Sequence, residues 1–286
     1  MIAKRFVSRL VLFTFLISLS GCSTQFGYRF ADTFVEWQLA KYVELSGPLE
    51  DNVERSIDEL HMWHARTQLP AYRNVLEQLI QDLDQDTVDA VKIVAYSEQL
   101  FSFWQAIRNQ LEPYALTYLP QLSEAQREQL ISNLRERIEE EREEAADLNE
   151  RERYRERLER TLDRAKEWLG PLQSEQRTLL RRWLEERVSN DELWLVYQED
   201  WLDAFAATVR APEAEGFADG ISLLITRPEA YRSDALIAAT EFNRALTMQL
   251  MVDLYSTLSD GQKRHLRNKL AGYRETVDSL INNFAT

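Results

Sequence analysis

Apolar residues recur at every third or fourth position along most of this chain, and that spacing most strongly constrains its fold. Leu49, Val53, Ile57 and Leu60 show the pattern, which places their side chains on one face of a helix. Runs of alternating β-branched residues, which are typical of strands, do not occur. Turn-forming residues are scarce, since the 286 residues include only 8 Gly and 7 Pro. The sequence therefore predicts an all-α protein, an elongated array or bundle of several amphipathic helices without a sheet.

Short punctuation signals mark where these helices are expected to begin or break. Ser46 is the predicted N-cap of one helix, with Pro48 in its first turn, and Pro70 predicts a helix break that pushes Leu69 towards extended geometry. A weak repeat adds three further helix starts, Leu122-Ser123-x-x-Gln126, Leu172-x-x-x-Gln176 and Leu258-Ser259-x-x-Gln262, with a fainter copy at Leu45-Ser46. The copies are too irregularly spaced for a solenoid, which needs a fixed period.

One segment, 135–167, holds 23 charged residues in 33 positions and contains no Gly or Pro. Glu139–Arg142, Glu156–Arg160 and Asp163–Lys166 have the spacing of helix-stabilising ion pairs. We expect a long charged helix, or two in line, that projects partly into solvent. A coiled-coil partner surface is the alternative, but the apolar stripe is not a sustained heptad.

The first 21 residues have the features of a secretory signal peptide. Basic residues (Lys4, Arg5 and Arg9) precede a mostly apolar run, 10–19, which is too short for a permanent membrane span. Leu19-Ser20-Gly21-Cys22 resembles the bacterial lipobox, in which the Cys thiol receives a lipid with acyl chains such as palmitate. We therefore expect cleavage between Gly21 and Cys22 and lipid attachment to Cys22, the only cysteine in the chain.

The mature chain is predicted to have a lipidated tether, 22–27, followed by one all-helical domain, 28–286, with a sub-division near 119–123 as an open alternative. Because Ser rather than Asp follows the lipobox Cys22, resemblance to bacterial lipoproteins favours the outer membrane, facing the periplasm, over the inner membrane. The formal net charge is −14, and removal of the signal peptide would make it −17. That balance disfavours nucleic acid and anionic surfaces as partners, which leaves the lipid as the expected membrane contact and an envelope protein or peptidoglycan as the candidate partner.

The densest group of chemically versatile side chains lies between Trp63 and Tyr72. His64 is a candidate for titration near neutrality, and Arg66 is a candidate for binding a carboxylate or phosphate at two points. Trp63, His64, Arg66 and Tyr72, together with Trp37, are therefore the candidate binding residues. A packed structural corner is the alternative interpretation.

Other chemistry is weakly indicated. His61-x-x-His64, with Asp58 one turn earlier, has the spacing of metal ligands on one helical face, but the HExxH pattern is absent and we predict no metal and no cofactor besides the lipid. Trp194, Tyr197, Trp201 and Phe205 share a helical stripe that is expected to be packed core. No nucleophile elbow, P-loop or CxxC motif occurs, so catalytic residues cannot be assigned and a non-enzymatic protein is favoured.

Three segments together resemble a family of uncharacterised bacterial lipoproteins, a domain of unknown function. They are the lipobox, Tyr28-Arg29-x-x-Asp32 with Trp37, and Trp63-His64-x-Arg66-x-x-Leu69-Pro70-x-Tyr72. The resemblance implies a helical envelope lipoprotein with no known activity, in which Trp63, His64, Arg66, Pro70 and Tyr72 belong to the family pattern. The Leu-Ser-x-x-Gln units are similar, more distantly, to the LTxxQ motif of Spy-type periplasmic chaperones.

Three functions follow as hypotheses. The first is a lipid-anchored binding or assembly module that acts through the Trp63–Tyr72 corner and aromatic grooves. The second is an envelope enzyme that uses His64 and Arg66, which requires a pocket with an acid about 3 Å from the imidazole. The third is a chaperone-like client binder, which requires a concave, partly apolar face.

Overall fold

The computed structural model describes residues 27–146 and 149–284, and within these ranges the chain forms eleven α-helices and no strand. The helices are α1 (Ala31–Leu39), α2 (Pro48–Trp63), α3 (Leu69–Asp84), α4 (Ala90–Tyr118), α5 (Glu124–Ala146), α6 (Glu150–Leu169), α7 (Ser174–Glu186), α8 (Asp191–Arg210), α9 (Phe217–Thr226), α10 (Asp234–Ser256) and α11 (Asp260–Phe284). The predicted all-α class is confirmed. The signal peptide, the cleavage site and Cys22 lie outside the described residues.

Several helices begin at local capping signals. The Ser233 hydroxyl accepts the Leu236 backbone N–H at 3.2 Å, and Asn149 forms a capping box with Glu152 at the start of α6. Ser46 is not the cap of α2, so that prediction is wrong. Gly47 occupies the N-cap position with φ of 62°, a left-handed conformation that glycine adopts without a Cβ penalty, and Pro48 takes the first helical position as predicted.

Pro70 does not break the helix, which corrects the prediction. The chain stays helical from α2 into α3 through a π-helical turn, His64–Gln68, and Leu69 has helical dihedral angles of −57° and −44°. The Leu69 N–H reaches back five residues to the His64 carbonyl, which adds one residue to the turn. This wider turn accommodates a proline that cannot donate a backbone hydrogen bond.

The core is divided into several clusters between helix pairs. The largest joins α5, α8 and α9 around Ile131, Val209 and Ile221, all of which are at most 1% exposed. A second joins α3 and α11, which pack along each other, and includes Tyr28, Leu69, Tyr72 and Leu280. This second cluster positions the candidate site.

The charged segment forms two helices, α5 and α6, one of the two arrangements predicted. Glu139–Arg142 and Glu156–Arg160 form ion pairs at 3.1 and 3.7 Å, but no ion pair joins Asp163 to Lys166. The ion pairs that α5 and α6 form with α8 run antiparallel along that helix: Glu128–Arg210, Arg135–Asp203, Arg142–Glu199 and Arg157–Asp191. The segment is therefore more closely packed than the sequence indicated, because cross-helix ion pairs and the buried Leu130 attach α5 to α8.

Candidate functional site

The candidate site is a cluster of tyrosine and histidine side chains around the π-helical turn, which we call the tyrosine–histidine cluster: Tyr28, His61, His64 and Tyr72. The extra residue of the turn lies between His64 and Tyr72, and their side chains meet with Nε2 3.1 Å from the Tyr72 hydroxyl. The other ring nitrogen, Nδ1, is 2.8 Å from the hydroxyl of Tyr28. His64 therefore connects the N-terminal segment to α3.

Aromatic rings surround this cluster. Tyr28 and Tyr72 are 7% and 6% exposed, and Phe284 at the end of α11 makes edge contacts with the rings of Tyr28 and His61. Phe103 of α4 covers Tyr72, with ring centroids 4.6 Å apart. Edge-to-face aromatic pairs of this kind add to the free energy gained by burial.

Burial changes the acid–base properties of the cluster. The pKa of His64 falls to about 4, first because the imidazole is desolvated and second because His61 is nearby. Burial raises the pKa of Tyr72 to about 12 and raises that of Tyr28 as well. All three groups are thus neutral near pH 7, and since a neutral imidazole has one N–H donor and one acceptor nitrogen, one tyrosine donates to His64 and the other accepts from it.

His61 lies on the outer side of the cluster, facing α1. Its Nδ1 is 3.4 Å from Asp32 Oδ2, its ring is 4.8 Å from that of Tyr28, and its buried Nε2 has no hydrogen-bond partner in the described part of the chain. Asp58, which the sequence placed beside the two histidines, does not join them in a metal site. Within 27–146 and 149–284, no group of three or more His, Cys, Asp or Glu residues is arranged to hold a metal ion.

The structure brings together only some of the predicted binding residues. Trp63 contacts the edge of His64 at a centroid distance of 6.4 Å, and His64 bonds Tyr72. Arg66 is exposed and makes no hydrogen bond or ion pair with another described residue, so it does not share a corner with Tyr72. The expected corner depended on an extended Leu69, and the π-helical turn instead carries Arg66 to the surface.

Trp37 lies on a separate surface. Its side chain is 57% exposed on α1, and the Lys41 ammonium lies 3.4 Å from the ring centroid, a cation–π contact. The stripe from Trp194 to Phe205 was predicted to be packed core, and the structure places its second half there: Phe205 is buried, Trp201 is partly buried, and their rings stack at 5.2 Å. Trp194 and Tyr197 are partly exposed. The Trp201 indole N–H donates to the Leu224 carbonyl at 3.0 Å, which ties α8 to α9.

Sequence reasoning missed three contributors to this region. Tyr28 and Asp32 were noticed only as parts of a family pattern, and Phe284 was not noticed, because their contacts with His61 and His64 span many residues.

A polar groove of about 350 Å³ between α3 and α4 was also missed. In it Asp82 accepts hydrogen bonds of 2.6 Å from both Lys92 and Tyr96.

No described helix combines the length and apolar character needed to cross a bilayer. The fold and the cluster define a class: an all-helical array whose N-terminal segment is fastened to its interior by a tyrosine–histidine contact. The chain belongs to the family described as "Family of unknown function (DUF6279)", whose profile matches residues 41–235. The match includes the Trp63–Tyr72 segment but neither Tyr28 nor α11. No curated protein and no solved structure is matched by this chain.

Proposed function

We propose that this chain is a lipid-anchored lipoprotein of the bacterial envelope, which faces the periplasm from the outer membrane and binds or assembles other envelope components. The observation that carries the proposal is the position of Tyr28, which is buried and bonded to His64 only six residues after the lipobox Cys22. The folded body begins almost directly after the lipid site. Such a short connection suits a module that works close to its membrane.

The molecule has apolar surface for a protein partner. On α4, Val91, Leu100 and Phe101 are 75%, 53% and 55% exposed, and on α10, Phe242 and Met251 are 49% and 47% exposed. Arg244 of α10 lies over the Phe101 ring at 5.1 Å, so cationic and aromatic groups are adjacent there. Aromatic and Arg side chains of this kind are enriched where proteins bind each other.

The enzyme hypothesis gains no support from the geometry. It requires an acid about 3 Å from the His64 imidazole and Arg66 in the same pocket, whereas tyrosine hydroxyls occupy both ring nitrogens and Arg66 is exposed elsewhere. A lowered pKa also makes His64 a weak base near neutral pH. The chaperone hypothesis gains no specific support either, since Gln176 and Gln262 of the repeated units are buried inside the fold.

Two measurements test the proposal in intact bacterial cells. Mass spectrometry of the mature N-terminus should find lipidated Cys22 as the first residue; an intact Met1 with an unmodified thiol would overturn the anchor. A photo-crosslinking residue at Phe101 should capture a specific envelope protein. The same residue at exposed Glu175 should not, and Cys22→Ala should abolish the Phe101 product. Identical background products at both positions would overturn the binding role.

A further inference from the structure

Helix α1 and the residues that flank it, Phe30 and Lys41, carry an exposed aromatic stripe. Phe30, Phe34, Trp37 and Lys41 are spaced four, three and four residues apart, so their side chains follow one side of the helical segment. Phe30 and Trp37 are 50% and 57% exposed, and Phe34 lies 5.9 Å from Trp37 between ring centroids. We call this set the α1 stripe.

The acidic groups of α1 face the other way. Asp32 is directed to His61 of α2. The pKa of Glu36 is raised, first by burial and second by the nearby carboxylates Glu54 and Asp58 of α2. The charged member of the α1 stripe is instead Lys41, whose ammonium lies over Trp37. The stripe is therefore aromatic and cationic, whereas the side of α1 that packs on α2 is acidic.

The stripe is also next to the proposed lipid. Gly27, where the described structure begins, is five positions after Cys22, and an extended chain spans at most about 18 Å over that distance. Tyr28 is then held by His64, which fixes the start of the folded body just before the stripe. No other exposed aromatic group in the described ranges is this close along the chain to the anchor.

We infer that the α1 stripe lies in the headgroup layer of the membrane that holds the Cys22 lipid, as a second membrane contact that sets the orientation of the helical array. This inference rests on the lipid anchor proposed above. Trp rings favour the boundary between hydrocarbon and water, because their faces are apolar and their N–H group stays hydrated. The Lys41 ammonium, which lies over the Trp37 ring, is placed to bind lipid phosphates beside the aromatic rings. The lipid supplies most of the affinity, and the stripe limits how the body tilts.

The experiment uses the full lipidated chain in phosphatidylcholine vesicles that contain lipids with a nitroxide on the headgroup. Because lipidation consumes the thiol of Cys22, a cysteine introduced by Thr33→Cys is the only free thiol and accepts one fluorescent dye. Thr33 is exposed beside the stripe, and Thr178→Cys on exposed α7 is the matched distant position. We expect at least twofold stronger quenching of the dye at position 33 than at position 178.

Substitutions within α1 then identify the cause. Phe30→Ser combined with Trp37→Ser should reduce quenching at position 33 to the level of position 178, whereas Val35→Ser, at a residue 44% exposed outside the stripe, should leave it unchanged. Circular dichroism confirms that each variant is folded. If mass spectrometry shows lipidated Cys22 but the dye at position 33 is no more quenched than at 178, the inference fails and the anchor stands. If Cys22 carries no lipid, the anchor fails and the inference with it.

Discussion

Gln176 and Gln262 form a reciprocal, buried pair of side-chain hydrogen bonds. Gln176 Nε2 donates to Gln262 Oε1 at 3.0 Å, and Gln262 Nε2 donates to Gln176 Oε1 at 2.9 Å. Each Oε1 also accepts a backbone N–H at the start of its own helix, from Gln173 and Ser259. The two residues are 0% and 5% exposed. The starts of α7 and α11 are therefore joined by hydrogen bonds between two copies of one sequence motif.

Removing one member of this pair should destabilise the fold. Gln176→Leu removes one of the two acceptors of the Gln262 Nε2, which keeps the Pro171 carbonyl, and also removes the side-chain acceptor of the Gln173 N–H. We expect a loss of about 1–2 kcal/mol in the free energy of unfolding. Urea denaturation measures it. Gln126→Leu is the matched control, because Gln126 caps α5 in the same way but is only partly buried and bonds the Glu44 carbonyl, so we expect a loss of about 1 kcal/mol or less.

The double variant provides a sharper test. When Gln176 and Gln262 are both replaced by Leu, no glutamine amide remains that has lost its partner. The total loss in the free energy of unfolding should therefore be smaller than the sum of the two single losses. Additive losses would show that the two amides do not interact.

The repeated Leu-x-x-x-Gln units show which features of this fold can be predicted from the sequence. It predicted helix starts at α5, α7 and α11, because a Ser or Gln cap and a following apolar stripe are local features. It did not predict that two copies face each other, because nothing local relates residues 86 positions apart. Pro70 is the opposite case, in which a local rule predicted a helix break that does not occur. The π-helical turn accommodates the proline, and the core cluster that includes Tyr28, Leu69 and Leu280 packs against this region.

The Tyr28 hydroxyl should contribute measurably to stability. Tyr28→Phe keeps the buried ring but removes the 2.8 Å contact with His64 Nδ1, leaving that nitrogen without its partner. We expect a loss of about 1–2 kcal/mol in the free energy of unfolding, and faster amide hydrogen exchange in α1. Arg66→Gln is the control and should change stability by less than about 0.5 kcal/mol, since Arg66 is exposed. Equal effects of the two substitutions would contradict the cluster as described.

The free energy of unfolding should fall as the pH drops below the pKa of an unperturbed histidine. His64 has a pKa of about 4 when folded and about 6.5 when unfolded, so the unfolded chain binds the extra proton first. The contribution of neutral His64 is complete above pH 6.5 and is lost progressively down to pH 4, by up to about 3 kcal/mol. Urea denaturation at intervals between pH 7.5 and 4 measures this slope.

Variants at two histidines separate this effect from the titration of carboxylates. His64→Gln should flatten the slope between pH 6.5 and 4, because the titrating group is gone. His265→Gln should retain it, since His265 is exposed and its Nε2 donates to the Glu167 carbonyl at 3.1 Å. A slope that His64→Gln leaves unchanged would assign the pH dependence to groups other than His64.

Only part of the candidate site could be predicted from the sequence. His64, Trp63 and Tyr72 were recognised because they are close along the chain, and the structure does bring their side chains together. Their partner Tyr28 comes from 36 residues away and Phe284 from the far end of α11, and their placement depends on how α3 and α11 pack. The predicted position of Arg66 was wrong for a related reason. The extra residue of the π-helical turn changes the directions of the side chains before it relative to those after it, and no local pattern specified that extra residue.

Two glycines on helices should respond oppositely to alanine. A Cβ at Gly220 of α9 would lie 2.9 Å from Thr208 Cγ2 of α8, and Thr208 cannot easily move because its hydroxyl donates to the Ala204 carbonyl at 2.8 Å. Gly220→Ala should therefore destabilise the protein by about 1–3 kcal/mol, although alanine favours helix. Gly272 of α11 has open space around the same position, so Gly272→Ala should stabilise by about 0.5–1 kcal/mol. Thermal or urea denaturation measures both. Adding Thr208→Ala should recover part of the loss caused by Gly220→Ala; if Gly220→Ala alone proves as stable as the parent, α8 and α9 do not approach as closely as described.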